Sequence, residues 1–323
     1  MQRIEDHLGR RFEKLRISLL NTCNFSCVYC VNDHTNTPPQ GIVPAFKEEQ
    51  LDTDGFISLI GAVHRLTDLK SIRLTGGEPL LYMNLSPLIE KIKLLGIDDI
   101  RLTTNGYYLK QSARQLKDAG LQSVNVSVDA IDLHLFKRIA RHNQPRRVFE
   151  GIEAALDAGL KLKLNAVIMR GQNESQIIPL LDYASEMGVK IRYLELMKMG
   201  HLFHSQNEMF FAEHEILATI SRQYEVEKLP HTPSETARYW TAGGKRVFGI
   251  IANESTPFCH DCNRLRMDSR GYFFGCLSNA TGEKLAPYLH DQELLTNKLR
   301  QLLWLKQPVK FRGSELSMRN IGG

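Results

Sequence analysis

Three cysteines, Cys23, Cys27 and Cys30, follow one another as Cys-x3-Cys-x2-Cys. Thiolate is the ligand that iron–sulfur clusters use, and three thiolates on one short loop can hold three irons of a cubic [4Fe–4S] cluster. A closed cluster needs four ligands, so one iron is left for something that is not protein. That implies chemistry at the metal rather than electron storage. Free cysteine is often a core residue, yet Asn24 and Ser26 between these thiols do not read as core. The spacing also misses the common zinc patterns, in which a Cys-x2-Cys pair joins a second distant pair or two histidines. The other half of the six cysteines forms a second triplet, Cys259, Cys262 and Cys276, spaced Cys-x2-Cys-x13-Cys. Two triplets far apart in the chain suggest two clusters, each with an open iron. Zinc at the second triplet, with His260 as a fourth ligand, is the alternative, although His260 directly follows Cys259 and would reach the same metal awkwardly.

Other polar motifs sit where strands should end. Thr75-Gly76-Gly77-Glu78-Pro79 offers two glycines that allow close backbone approach to a ligand, and a carboxylate that could receive an ammonium group. Thr103-Thr104-Asn105-Gly106 and Ser127-Val128-Asp129 place small hydroxyl and amide side chains at the next two strand ends, suited to binding a polar ligand. Arg73, Lys163 and Arg192 fall within three different strands. Buried, they need opposite charge: either acids such as Glu195, or an anionic ligand such as a polyphosphate. Arg264 and Arg266 alternate beside the second triplet and so face one side of an extended segment. No Gly-x4-Gly-Lys-Ser/Thr loop is present, so any nucleotide is held without a P-loop.

The elements that would position these residues alternate. Short β-branched or alternating runs predict strands at 15–19, 71–74, 99–103, 123–128, 161–168 and 190–196. Apolar residues at helical spacing intervene at about 53–66, 86–95, 111–119, 147–158 and 174–187. Gly96, Gly120, Gly159 and Gly188 stand where helices should stop. Six strands with five crossover helices predict an α/β fold with a parallel sheet, an open, partial (β/α)6 barrel with function at the C-terminal ends of its strands.

Composition fits an enzyme with an ample core: 323 residues, 42% hydrophobic and 24% charged. The 41 Lys and Arg against 36 Asp and Glu leave +5, weakly in favour of an anionic substrate and no case for nucleic acid. The first 20 residues carry charges throughout, and no run approaches the roughly 18 apolar residues of a membrane span. A reducing cytoplasm is the expected compartment.

Cys23-Asn24-Phe25-Ser26-Cys27-Val28-Tyr29-Cys30 followed by Gly-Gly-Glu-Pro resembles the radical S-adenosylmethionine (SAM) enzymes. From about Arg11 to the end, the chain is similar to that family's GTP 3′,8-cyclases of molybdenum-cofactor biosynthesis. The most specific parts are Leu15-Arg16-Ile17-Ser18, the segment 258–277, and the terminal Ile321-Gly322-Gly323. The resemblance implies a radical SAM partial barrel over residues 1–210. Over 211–323 it implies a C-terminal α+β domain that closes the barrel and carries a second [4Fe–4S] cluster. SAM would chelate the open iron of the first cluster, in a pocket lined by Tyr29, Gly77, Ser127 and Met197. Its reductive cleavage would give a 5′-deoxyadenosyl radical that removes hydrogen from ribose carbon 3′ of GTP, after which the substrate radical adds to guanine carbon 8. Arg16, Arg73, Thr103, Lys163, Arg192, Arg264 and Arg266 would hold the nucleotide, with the second cluster facing guanine. Gly322 and Gly323 would reach into the site and be needed for turnover. The resemblance also suggests a flavodoxin-like or other electron donor, a cyclic pyranopterin synthase acting next, and a homodimer. The chain departs from the family at Ser71 and at Tyr82-Met83, commonly basic positions, and at 20–22 and 31–32, which thins positive charge near the proposed phosphates. The alternative is a paralogous two-cluster radical SAM enzyme acting on another nucleotide or a peptide.

Overall fold

The structure, a computed structural model, describes residues 4–31, 50–232, 234–279, 281–318 and 321. Its strands are β1 (Lys14–Ser18), β2 (Ser71–Thr75), β3 (Asp99–Thr104), β4 (Ser123–Ser127), β5 (Lys161–Ile168), β6 (Lys190–Glu195), β7 (Val226–Lys228), β8 (Arg238–Ala242), β9 (Arg246–Ile251), β10 (Arg264–Met267), β11 (Tyr272–Phe274) and β12 (Glu283–Lys284). All twelve form one sheet in the order β12-β11-β10-β1-β2-β3-β4-β5-β6-β9-β8-β7. Strands β1 to β6 lie side by side in chain order and parallel, as the expected six-unit open barrel requires.

The crossovers carry α1 (Thr53–Thr67), α2 (Leu85–Leu94), α3 (Leu109–Ala119), α4 (Leu133–Ala140), α5 (Arg146–Asp157) and α6 (Ile177–Glu186). Leu15 and Ile17 on β1 are buried on one face of the sheet, while Lys14 and Arg16 alternate onto the other, which lines the interior. Gly120 ends α3 with a φ of +114°, its N–H donating to the Leu116 and Lys117 carbonyls.

Two elements differ from the sequence reading. The segment expected to be helical from 174 begins as a 3₁₀ turn, Glu174–Gln176, before α6. There the Asn173 side chain accepts from Met169 N and donates to the Asp129 and Val167 carbonyls. Helix α4 is additional. Asp132 caps it by accepting from Leu135 N, and Phe136, Ile139 and Ala140 form its buried stripe.

The chain beyond β6 builds a single turn α7 (Gln206–Met209), α8 (Glu213–Ser221) and α9 (Gln292–Trp304). Its strands do not form a separate layer; they extend both edges of the barrel sheet. β9 pairs parallel with β6 and β10 parallel with β1, each followed outward by antiparallel strands. The two ends of the open barrel thus receive their neighbours from the C-terminal third. No helix among the described residues is long and apolar enough to cross a membrane.

Candidate active site

The first triplet sits on the loop that leaves the end of β1. The backbone N–H groups of Ser26 and Val28 donate to the Ala140 and Ile139 carbonyls at the end of α4. Phe25, buried, packs edge-on against Tyr107 and Phe136 and stacks on His142. The Gly-Gly segment clamps the other side, with Gly77 N donating to Leu20 O at 2.6 Å and Glu78 N to Thr22 O at 2.8 Å. A Cβ on Gly77 would lie 2.0 Å from Thr22 O, so the close approach that needs glycine there is to the protein's own cysteine loop. The Glu78 carboxylate is engaged by the protein itself. It is buried and accepts from Leu80 N, Thr104 Oγ1 and Asn105 N, and burial outweighs these bonds to push its carboxyl up to about 7. Its work is to tie the motif after β2 to the end of β3.

All six cysteines, Cys23, Cys27, Cys30, Cys259, Cys262 and Cys276, line one cavity of about 320 Å³. Phe25 N and Asn105 Nδ2 point at Cys23 Sγ, at 3.3 and 3.9 Å. Burial, then the nearby Cys30 and Asp129, push the Cys27 thiol well up. Three thiols gathered in a buried pocket fit a bound cation of soft character, and iron in a cluster supplies it. Among the described residues no three Cys, His, Asp or Glu side chains are arranged to hold a single metal ion. A cubane presents a separate iron to each thiolate, and three thiols per triplet on the wall of one cavity are the donor set such a cluster uses.

Tyr29, Gly77, Ser127 and Met197 all line this cavity. Tyr29 donates its hydroxyl to Asp129, which also accepts from Val167 N. Burial raises Asp129 to about 6.

Deeper in the barrel, strand register makes a row of cations. Arg16 pairs with Arg73 on β2 and with Arg266 on β10, so three arginines lie side by side across adjacent strands. Like charges placed so are destabilising unless an anion meets them. Burial, then the fields of Arg266 and Arg73, hold Arg16 well below its ordinary range, and burial brings Arg73 to about 9 and Arg266 to about 10. Arg192, 8% exposed, donates to Asn165 Oδ1 at 2.9 Å, and Arg73 to Thr103 at 3.3 Å. Among the described residues Arg16, Arg73, Arg192 and Arg264 form no ion pair with a carboxylate, whereas the neighbouring Arg101 is paired with Asp99 at 2.5 Å. Glu195, the acid the sequence offered as a partner, instead accepts from the backbone of Glu213, Glu254 and Ser255.

Arg264 stacks on Phe258, and its Nε lies 3.4 Å from Cys262 Sγ, so it serves the second triplet as well as the cavity. Lys163 is the exception among the predicted residues. It lies outside the main cavity, in a second cavity at the N-terminal ends of the strands that shares Arg73, Asn125 and Arg192 with the first. Tyr82 and Met83 also lie away from it. Tyr82 bonds to Thr53 and Met83 is 96% exposed, so these departures from the family remove no charge from the cavity. Gly322 and Gly323, like Asn32, lie outside the described residues; Met318 lines the cavity and Ile321 is buried beside Met199 and Phe311.

Asn125, Asn165, Asn253, Thr236 and Lys306 also line the cavity without having been singled out. Asn125 and Asn165 were legible as polar residues on inward strand positions. Lys306 had no signal, since it follows a helix far from either triplet.

The fold and the paired triplets define the class. Residues 17–184 match the Radical SAM superfamily model and residues 189–311 the Molybdenum Cofactor Synthesis C model. A GTP 3′,8-cyclase of Staphylococcus epidermidis is 36% identical over 284 residues, 85% of this chain and 81% of that protein. One of Staphylococcus aureus is 37% identical over 303 residues, 91% of this chain and 88% of that protein. The chain belongs to the radical SAM superfamily and, within it, to the GTP 3′,8-cyclase family. Among solved structures, Streptococcus suis SuiB bound to S-adenosylmethionine shares the fold, with a TM-score of 0.61 at 15% identity, over 90% of this chain and 68% of that one. As a radical SAM protein, the chain uses an iron–sulfur cluster and SAM.

Proposed function

We propose that this chain converts GTP to 3′,8-cyclo-7,8-dihydro-GTP, the first step of molybdenum-cofactor biosynthesis, with a [4Fe–4S] cluster on each cysteine triplet. The observation that carries the reading is the row of arginines, without carboxylate partners at Arg16, Arg73 and Arg192, on the wall of the one cavity that both thiol triplets line. When bound, the first cluster and SAM supply the radical that starts the reaction.

The protein's own residues do the rest. Tyr29, Gly77, Ser127 and Met197 form the wall beside Cys23, Cys27 and Cys30 and orient SAM there. Arg16, Arg73, Arg192 and Arg266 take the triphosphate charge, with Thr103 holding the Arg73 fork in place and Asn165 that of Arg192. Lys163 adds positive charge from the adjoining cavity, whose wall shares Arg73 and Arg192 with the first. Arg264 and the second triplet turn the base toward the far wall. The enclosure excludes water and fixes ribose between the triplets, which a reactive primary radical demands. The reading also expects Gly322 and Gly323 to be needed for turnover. An electron donor such as a flavodoxin-like protein, and a cyclic pyranopterin synthase consuming the product, belong to this reading.

The test is anaerobic reconstitution and reduction followed by incubation with SAM and GTP. Both 5′-deoxyadenosine and the 3′,8-cyclised nucleotide should form. If 5′-deoxyadenosine forms only with a different substrate, the assignment to GTP is wrong.

A further inference from the structure

Lys306 is 4% exposed, just past the end of α9, and its ammonium group sits over the Phe12 ring. Burying an ammonium there is costly unless negative charge meets it. Among the described residues it forms no ion pair with any carboxylate. Its Nζ instead donates to Arg264 O at 2.8 Å and to Gly275 O at 2.7 Å. Those carbonyls lie two residues after Cys262 and one before Cys276, so a single ammonium group joins the two segments that carry these thiols.

The negative charge available to it is that of a cluster held by the triplet whose two segments it joins, and Arg264 Nε, 3.4 Å from Cys262 Sγ, adds a second cation on the same side. The third cysteine is fixed by a separate cation. Arg10, ion-paired with Asp6 at 2.6 Å, donates to Cys259 O at 2.6 Å and to Gln307 O at 3.1 Å, the residue beside Lys306.

We propose that Lys306 is a positioning residue for the second triplet, a buried cation that locks the Cys262 and Cys276 segments together and offsets the negative charge of the cluster they carry, raising that cluster's reduction potential. This rests on the reading that the second triplet holds an iron–sulfur cluster. Charge and hydrogen bonding around the sulfurs are general controls of cluster potential, and a cation favours the more negative, reduced form.

The full chain with Cys23, Cys27 and Cys30 replaced by alanine isolates the second cluster for iron analysis and potentiometric titration followed by electron paramagnetic resonance. Lys306→Met should shift the potential to more negative values, and Lys306→Arg should bring it back toward the parent. Loss of iron in Lys306→Met with retention in Lys306→Arg also supports the proposal. An unchanged potential in Lys306→Met overturns it. So does equal loss, or an equal shift, in both variants with native circular dichroism, since that is the behaviour of a steric strut. Absence of iron from the Lys306 parent itself sinks the cluster reading instead, which keeps the two failures apart.

Discussion

Replacing Arg73 by methionine should make the ligand-free protein more stable and less able to bind GTP. Arg73 lies next to Arg16 in the sheet register, and burial followed by the fields of Arg192 and Arg101 brings it from 12.5 to about 9. A displacement of that size corresponds to about 5 kcal/mol against the charged form, taken as an upper bound. A lowered cation is penalised at every pH below its folded value, so the whole cost is present at pH 7.5. Methionine keeps most of the buried stem and loses one 3.3 Å hydrogen bond to Thr103, worth about 1 kcal/mol. The net gain for the ligand-free chain should be on the order of 1–3 kcal/mol. Denaturant unfolding of parent and variant, loaded equally with iron, measures it. With GTP the order reverses. Loss of charge-assisted bonds to phosphate should weaken binding by on the order of 10- to 100-fold, so GTP should raise the parent's midpoint and scarcely move the variant's. A variant that is less stable than the parent by more than about 1 kcal/mol without ligand, yet fully stabilised by GTP, would refute the account of a cation row awaiting an anion.

Three further outcomes follow from the site. Cys276→Ala should reduce iron from about eight to about four per chain after reconstitution and abolish cyclisation; unimpaired turnover would remove the second triplet from the reaction. Gly77→Ala should cost about 1–3 kcal/mol through overpacking, because its Cβ would meet Thr22 O at 2.0 Å. Iron retention by the first triplet should fall with it, whereas a fully loaded, equally stable variant would contradict the clamp. Glu78, raised from 4.5 to about 7 by burial, binds its proton more readily folded than unfolded, so it makes stability fall as pH rises from 4.5 to 7. Glu78→Gln should flatten that slope while costing about 1–3 kcal/mol at pH 5, since its amide would face the Asn105 N–H that the carboxylate now accepts. Parallel pH profiles of denaturation for the two proteins would show that Glu78 does not titrate there.

The six-strand core was readable because each strand is a compact β-branched run followed by a helical period and, four times, a glycine stop at positive φ. The cysteine spacing and the alternation of Arg264 with Arg266 named the two thiol-bearing parts of the cavity wall. Three things were hidden for physical reasons. Lys306 is recognisable only through the carbonyls it binds, which are distant in sequence. Glu78 looked like a ligand-binding acid because its three donors come from backbone and threonine groups that no motif announces. Helix α4 carried a legible Asp132 cap and a Phe136/Ile139/Ala140 stripe, but at eight residues it is short enough to pass for loop.

The pairing of β10 with β1 joins Lys14, at the start of the barrel, to Arg264 in the C-terminal third. The first triplet is made long before Arg264 and Arg266 exist. The row that pairs Arg266 with Arg16 therefore forms only once that third of the chain has been made. Nascent or truncated chains can carry a radical-generating loop but lack the wall that would confine its product. Confinement of the radical thus depends on residues made well after the loop that generates it.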